Sequence, residues 1–490
     1  MRFDLVGEAW LPVRDHGGSI QEVSLAELFA EAPRWQGLAI GFAPEQVAVT
    51  RILVAVLQSA LRGPAGSQER CEWLRDHAGC AERILTYLDR HRHRFDLFEP
   101  ERPFMQQVVP EQLAATGTVA AVVLEWASGN NVTLFDHHVD EQRPALRPAH
   151  AARALLTTLL FQPGGGNSKP FHRTDSPGTK ALMVVVKGGD MWQTLVGNSP
   201  ALDTSSNDTP VWERATDHPP NKSGTTPLGW LDRATWRSRA VQLVADDDGM
   251  VRSCRIHQHL KLRDDPPDDP FVPVRQKEGE EPKIVRPPAG RRLWRAADVV
   301  LRGLAAGDRP TVVAQAVQTF ERCHLPHPQM LVVGLHIDQG KVGDAQSALL
   351  PVTQALLEDD ERLDVIARLL EVGERGAAAI RDGALAFQKA VGAQRNPRAA
   401  ARWEEPYWAA LAARFPQAMH AVAVAEGPPL DVNPLVDRWG ETVRGQARSA
   451  FRSIATLDAS EPRLAKALAA GEQSFTRKLR AIPKPTAEVA

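Results

Sequence analysis

ERLDVIARLLEVGERGAAAIRDGALAFQKAV, residues 361–391, reads as one long amphipathic helix. Three further amphipathic segments follow through short connections: Pro397 to Val424, Pro434 to Leu457 and Glu461 to Ile482. Asn396-Pro397 and Gly427-Pro428-Pro429 mark two of the breaks, since proline has no amide donor to give a helix interior. Helices of similar length joined by short loops predict an antiparallel four-helix bundle over residues 359–490.

Upstream of the bundle the chain changes character. It turns helical from about Arg291, but the middle third offers strand-like runs, Ala181 to Lys187 and Ala240 to Val244, between long stretches rich in Pro, Gly, Ser and Asp. The longest of these, Gly197 to Pro227 and Arg263 to Gly290, have the length at which loops are functional or disordered. Near the N-terminus, Phe3 to Val13 and Ile20 to Val23 flank the turn cluster Asp15-His16-Gly17-Gly18 and predict a hairpin. Ser24-Leu25-Ala26-Glu27 then has the form of a capping box. Helices are predicted from about Pro44 to Leu61, where Val47, Ile52, Leu53, Val56 and Leu57 recur at helical spacing, and from Pro148 to Phe161. At 490 residues the chain exceeds one ordinary core. The expected fold is α+β: a large mixed α/β N-terminal domain, residues 1–358, followed by the bundle.

Composition is that of a soluble globular protein, with 43% hydrophobic and 24% charged residues. No apolar run approaches the length that spans a bilayer, and Asp4 and Glu8 interrupt the N-terminal stretch, so neither a membrane partner nor a signal peptide is expected. A cytoplasmic protein is expected. Cys71, Cys80, Cys254 and Cys323 are too few and too scattered for a disulfide framework. The net charge of −2 does not exclude nucleic acid, because local patches decide binding. Among 58 basic residues 46 are arginines, which suits phosphate contacts and equally suits a GC-rich genome.

Catalytic patterns are missing where they would be looked for. There is no Gly-x-Gly-x-x-Gly after a strand, no phosphate loop and no Gly-x-Ser-x-Gly elbow. The histidine-rich places are the His91/His93 run, His137-His138, and Cys254-x-x-His257-x-His259. A metal site built from His137, Cys254 and His257 has suitable donors, which keeps a metal-dependent nuclease as the alternative function. Asp264, Asp265, Asp268 and Asp269 are interrupted by Pro266-Pro267 and lack the pattern of a calcium loop. The expectation is no enzyme, no cofactor and no bound metal.

Five segments carry more information. They are Phe3-Asp4-Leu5-Val6 through Trp10-Leu11-Pro12-Val13-Arg14; Phe95-Asp96-Leu97-Phe98 with Pro103-Phe104-Met105-Gln106; Gly129-Asn130-Asn131 with Thr133-Leu134-Phe135-Asp136-His137; Pro163-Gly164-Gly165-Gly166; and Gly334-Leu335-His336-Ile337-Asp338-Gln339. In this order the set resembles the CasA family, the large subunit of the type I-E CRISPR Cascade surveillance complex. The resemblance implies a non-catalytic protein that recognises a short protospacer-adjacent motif in target double-stranded DNA and opens the duplex. Guide RNA then pairs with the released strand, and a separate helicase–nuclease is recruited for antiviral defence. Guide RNA, the other Cascade subunits, the target duplex and the helicase–nuclease are the partners implied.

The same resemblance implies roles for individual residues. Asn130, Asn131 and Phe135 would belong to a DNA-contacting loop, the asparagines bonding to bases or sugars and the phenylalanine stacking. Gly164, Gly165 and Gly166 would bring backbone into the minor groove, with Asn167 and Lys169 adding a polar and a phosphate contact. Gln339 would be a wedge under the first base pair, in a tight hairpin or turn with Gly334, Gly340 and Gly343 nearby. A basic finger is also implied; Arg252, Arg255, Lys261, Arg275 and Lys277 lie in its region, with Arg255 and Lys277 the chosen candidates. Arg286, Arg291, Arg292 and Arg295 form a further basic stretch.

Overall fold

The computed structural model describes residues 1–126, 145–165, 172–203, 207–263, 268–276, 279–306, 310–338, 341–425, 430–455 and 462–482. The chain divides into two compact units, one formed by 1–293 and 302–349, the other by 294–301 and 350–490. Segment 294–301 thus joins the helical unit, although the sequence reading placed it in the first domain.

The N-terminal hairpin forms as its turn residues dictate. Strand β1 (Leu11–Asp15) pairs antiparallel with β2 (Ile20–Val23), and Gly18 takes a positive φ of 89° in the turn. Helix α1 (Leu25–Ala30) starts with the capping box, Ser24 Oγ accepting from the Glu27 amide at 3.2 Å and Glu27 Oε2 accepting from the Ser24 amide at 2.8 Å. Strand β3 (Trp35–Leu38) covers the other edge of β1. The first strand is shorter than expected because residues 3–5 have another partner. The Leu5 amide donates to Phe95 O and the Leu97 amide to Phe3 O, so two of the five motif segments meet as a bridge in the core.

Helix α2 (Ala43–Leu61) is buried almost all round, not on one face, which makes it the central helix of this unit. Its two largest buried polar side chains are therefore bonded internally. Gln58 donates to Gly63 O and Pro200 O and accepts from Trp230 Nε1, and Arg51 forms a bidentate pair with Asp269 at 2.9 Å for both contacts. After α2 come α3 (Ser67–Arg75) and α4 (His77–Arg90), then the short strand β4 (Gly117–Thr118) and α5 (Pro148–Phe161), a second buried helix that packs on α2. Strand β5 (Met183–Lys187), α6 (Met191–Gly197) and α7 (Trp230–Ala234) lead to β6 (Arg239–Ala245) and β7 (Val251–Gln258), which pair antiparallel; β4 flanks β7. Strands β8 (Val274–Arg275) and β9 (Lys283–Ile284) form a small ladder inside the long irregular stretch.

Helices α8 (Ala297–Ala305) and α9 (Val312–Arg322) precede two long strands where the periodicity suggested helix, although a tight hairpin or turn was expected about Gln339. Strands β10 (Gln329–Asp338) and β11 (Lys341–Pro351) are sheet neighbours, with β10 also pairing with β5. The four cysteines make no framework, but two of them form a bridge that the sequence reading did not anticipate: Cys71 on α3 is bonded to Cys323 at the end of α9, across 252 residues. That separation gives no local sequence signal.

In the helical unit, α10 (Gln354–Glu358) precedes α11 (Asp360–Ala390), the long helix of the opening segment. The expected second helix is broken. It becomes α12 (Pro397–Ala401), α13 (Glu405–Ala412) and α14 (Phe415–Val424), because Pro406 and Pro416 fit only the first turn of a helix. Helices α15 (Val432–Ala455) and α16 (Pro462–Leu479) then pack along α11. The α11–α16 approach depends on Gly383 and Gly471. A Cβ on Gly383 would lie 2.6 Å from the Phe451 ring and 3.1 Å from Gly471 O. Gly383→Val should therefore destabilise this unit by about 1–3 kcal/mol, the usual cost of overpacking. Urea denaturation followed by helical circular dichroism checks this, and a midpoint at or above wild type would refute the close-packing account. No helix among the described residues is long and apolar enough to cross a membrane.

Candidate nucleic-acid interface

The β4–β7–β6 sheet is the platform from which the candidate loops depart. Residues 127–144, which carry Asn130, Asn131 and Phe135, lie outside the described residues, but both ends of this segment are fixed. Just before it, the turn Val119–Val122 follows β4, with Val122 O accepting from Thr158 Oγ1 of α5 at 2.6 Å. Just after it, Leu146 and Val251 exchange amide–carbonyl bonds of 2.9 Å at the start of β7.

The glycine loop is rooted at the other end of β7. Two arms, 162–165 and 172–176, are laced by amide bonds from Gly165 to Arg173 O at 2.9 Å and from Ser176 to Gln162 O at 3.0 Å. The Gly164 amide donates to Asp175 Oδ1 at 2.8 Å. A Cβ on Gly164 would sit 2.7 Å from Arg173 O and 2.8 Å from the Thr174 carbonyl carbon, so this glycine lets two stretches of backbone touch. Gly165 has open space around it but a φ of 140°. Gly166, Asn167 and Lys169 lie outside the described residues.

Beneath the arms sits Arg239, 1% exposed, at the start of β6. Its guanidinium donates to Pro163 O at 3.1 Å and to Thr174 O, gripping both arms, and to Gln258 Oε1 at 3.2 Å. Gln258 Oε1 also accepts from the Thr174 amide at 2.9 Å. Burial, followed by the nearby charge of Arg173, brings the Arg239 pKa down to about 10, which leaves it cationic at neutral pH. Burial raises the Asp175 carboxyl, but bonds from Lys180 and the Gly164 amide outweigh it and hold that pKa below the ordinary value. Sequence reasoning missed Arg239, since nothing about a strand-initial arginine announces a role beneath a distant loop.

The return arm of the glycine loop forms one wall of a cleft of about 750 Å³, whose other wall is the β8–β9 ladder and whose lining includes Asp269 and Val272. Lys180, Arg275, Lys283 and Arg286 give it a basic character. Lys180 pairs with Asp175 at 2.5 Å and Lys283 with Glu280 at 2.9 Å, whereas exposed Arg275 and Arg286 have no ion pair among the described residues. Lys277 falls between β8 and β9, outside the described residues. Gln339 and Gly340 separate β10 from β11 and also lie outside them, while Gly334 and Gly343 belong to the strands themselves.

Other sequence candidates are engaged elsewhere. Arg255, on β7, donates to Thr116 Oγ1 at 3.1 Å and pairs with Glu111. Arg295 belongs to the helical unit, where it pairs with Glu374 and lies 3.8 Å from the centre of the Trp408 ring. The Cys254/His257 pair is separated by strand geometry. Three residues apart on the regular stretch of β7 that pairs with 240–243, their side chains point to opposite faces and cannot share a metal ion. Cys254 Sγ donates to Thr118 O at 3.3 Å, burial pushes its thiol up to about 12, and burial lowers the His257 pKa. Among the described residues no three His, Cys, Asp or Glu side chains group as metal ligands would.

A family model described as CRISPR-associated protein Cse1 matches residues 4–450. The chain belongs to the Cse1 family. The CasA/Cse1 protein of Thermus thermophilus is 29% identical to it over 522 residues, with 98% of this chain and 97% of that protein covered. A crystal structure of CasA from Thermus thermophilus matches with a TM-score of 0.77 at 26% identity, covering 98% and 100% of the two chains. A chain from a CRISPR RNA-guided surveillance complex shares the fold, with a TM-score of 0.71 at 19% identity and coverage of 97% and 99%. For this Cse1-family chain, the opening motifs prove architectural. Trp10 is fully buried with Nε1 donating to Leu5 O at 3.0 Å, and Gln106 joins Leu97 O to the Leu243 amide at the edge of β6.

Proposed function

We propose that this protein is the large, non-catalytic subunit of a type I-E CRISPR surveillance complex in the cytoplasm. In this reading it recognises a protospacer-adjacent motif in duplex DNA, opens the first base pairs for guide RNA, and presents a surface that recruits the helicase–nuclease. Family membership supports the assembly. The DNA role is carried by one observation: a buried arginine holds the two arms that flank Gly164 and Gly165, through Pro163 O and Thr174 O, and a Cβ on Gly165 would meet only open space, beside a basic cleft. Arms already held in place lose little entropy on entering a groove, and backbone without side chains approaches base edges closely. Asn130, Asn131, Phe135, Gly166, Asn167 and Lys169 would extend that contact from the flanking loops, with Lys277 or Arg255 as the basic finger and Gln339 as the wedge.

The test is the affinity of the reconstituted guide-bound complex for motif-bearing duplex. Gly165→Asp sets a carboxylate against phosphate at a residue whose φ disfavours any side chain, and should weaken binding at least about tenfold. Gln339→Ala should bind the motif but slow strand opening, read by 2-aminopurine fluorescence at the first target base pair. If both variants bind and open DNA as wild type does, the protein is a scaffold and the DNA assignment fails.

A further inference from the structure

The run Arg90-His91-Arg92-His93-Arg94 has no part in the interface above, yet its last residue stands in an unusual setting. Arg94 lies within the short 3₁₀ turn Arg92–Phe95, is half-buried, and has its Nε shut off from solvent with no hydrogen-bond partner. Its side chain makes no hydrogen bond or ion pair among the described residues. The charges of two more guanidinium groups, those of Arg102 and Arg237, act on it, and the aromatic stack of Phe95, Phe104 and Trp212 holds these stretches of chain together. Arg102 donates to Arg214 O at 2.7 Å and has no ion pair among the described residues. Arg237, 6% exposed, reaches Gln106 O and the Asp217 carboxylate, but its Nε is also buried without a partner.

The opposing charge is short. Asp217 is shared with His259, whose Nε2 lies 2.7 Å from the same Oδ2 that Arg237 contacts. Glu99 is the other carboxylate near Arg94, and its Oε2 already accepts the amides of Glu101 and Arg102. Three guanidinium groups thus share two engaged carboxylates. Burying cationic groups without enough acceptors is costly, and two partnerless N–H donors call for one more oxyanion.

We propose that Arg94, Arg102 and Arg237 form a phosphate-binding site separate from the glycine loop. Arginine forks match tetrahedral oxyanions, and a phosphate supplies both the missing charge and the missing acceptors. Arg237 lies two residues before Arg239, which grips the glycine loop, so a backbone phosphate of bound nucleic acid is the favoured source over free phosphate. Burial, and then the charges of Arg102 and Arg237, bring the Arg94 pKa down to about 10, which leaves it cationic at neutral pH.

The experiment is thermal denaturation of the full-length chain in sodium phosphate and in sodium chloride of equal ionic strength, with a ten-nucleotide single strand as a third arm. Wild type should gain about 2 °C from the phosphate-bearing ligand. Arg94→Gln and Arg102→Gln should lose that gain while melting no lower than wild type in chloride. A gain from the oligonucleotide at phosphate-group concentrations where inorganic phosphate gives none assigns the site to a nucleic-acid backbone; a gain from inorganic phosphate alone assigns it to the free ion. If wild type gains from neither ligand, or Arg94→Gln gains as much as wild type, the site does not exist.

Discussion

Asp269→Asn is expected to destabilise the large unit by about 3–5 kcal/mol, the cost of leaving the other half of a buried ion pair alone. The partner is Arg51, on central helix α2 and 1% exposed. Its guanidinium lies 4.6 Å from the centre of the Trp230 ring and 4.8 Å from that of Phe271, while both of its terminal nitrogens meet Asp269 at 2.9 Å. Asparagine keeps an acceptor for the Phe271 amide but carries no charge to answer Arg51. The double change Arg51→Met with Asp269→Leu should cost less than Asp269→Asn, since no orphan charge then remains. Burial raises the Asp269 carboxyl, but the Arg51 charge and bonds outweigh it, so its folded pKa lies below the ordinary value. A depressed carboxyl stabilises above its unfolded pKa, about 3.9, and stops doing so as pH falls through the folded value. Urea melts should therefore show a constant gap between wild type and Asp269→Asn from pH 7 to about pH 5, closing below about pH 4. A gap that is small at pH 7, or that widens in acid, would refute the pairing account.

How much of this was legible in the sequence varies with the range of the interaction. The capping box at Ser24 and the hairpin turn at Gly18 are local devices and formed as read. Helix α2 was found by its spacing, yet the spacing suggested one apolar face where the structure buries Thr50, Arg51 and Gln58 as well. Burial of Arg51 and Gln58 could not be read locally because their partners, Asp269, Pro200 and Trp230, come from far along the chain. The Cys254-x-x-His257 spacing resembled a ligand set only while its secondary structure was ignored; on a strand an odd separation divides the two residues. A turn about Gln339 was expected, but the long strands β10 and β11 beside it were not read, because their flanks are helical and one strand is half-exposed, so neither composition nor alternation marks them. The glycine loop was found by resemblance, but the reason for Gly164 lies within the protein, where its backbone meets that of residues 173–175.

That distinction makes Arg239→Met the sharper test of how the interface is built. Methionine fills similar volume but removes the donors to Pro163 O, Thr174 O and Gln258 Oε1. Acceptors buried without donors should cost about 2–4 kcal/mol of stability. The larger effect is expected at the loop. With neither arm held, the amides of Gly165 and Ser176, which lace the two arms, should lose protection from hydrogen exchange while those of β10 keep theirs. Arg239→Lys should not restore protection, because one ammonium cannot span two carbonyls as a planar fork does. If the loop's order is what a DNA groove selects, motif-bearing duplex should bind the guide-loaded complex at least about thirtyfold more weakly, roughly the ordering cost of the loop converted to affinity. Lost protection with unchanged affinity would mean that DNA itself orders the loop, and recognition would then rest on residues outside Gly164 and Gly165. Unchanged protection would mean that the arms hold themselves together, and Arg239 would be no more than a buried cation with satisfied bonds.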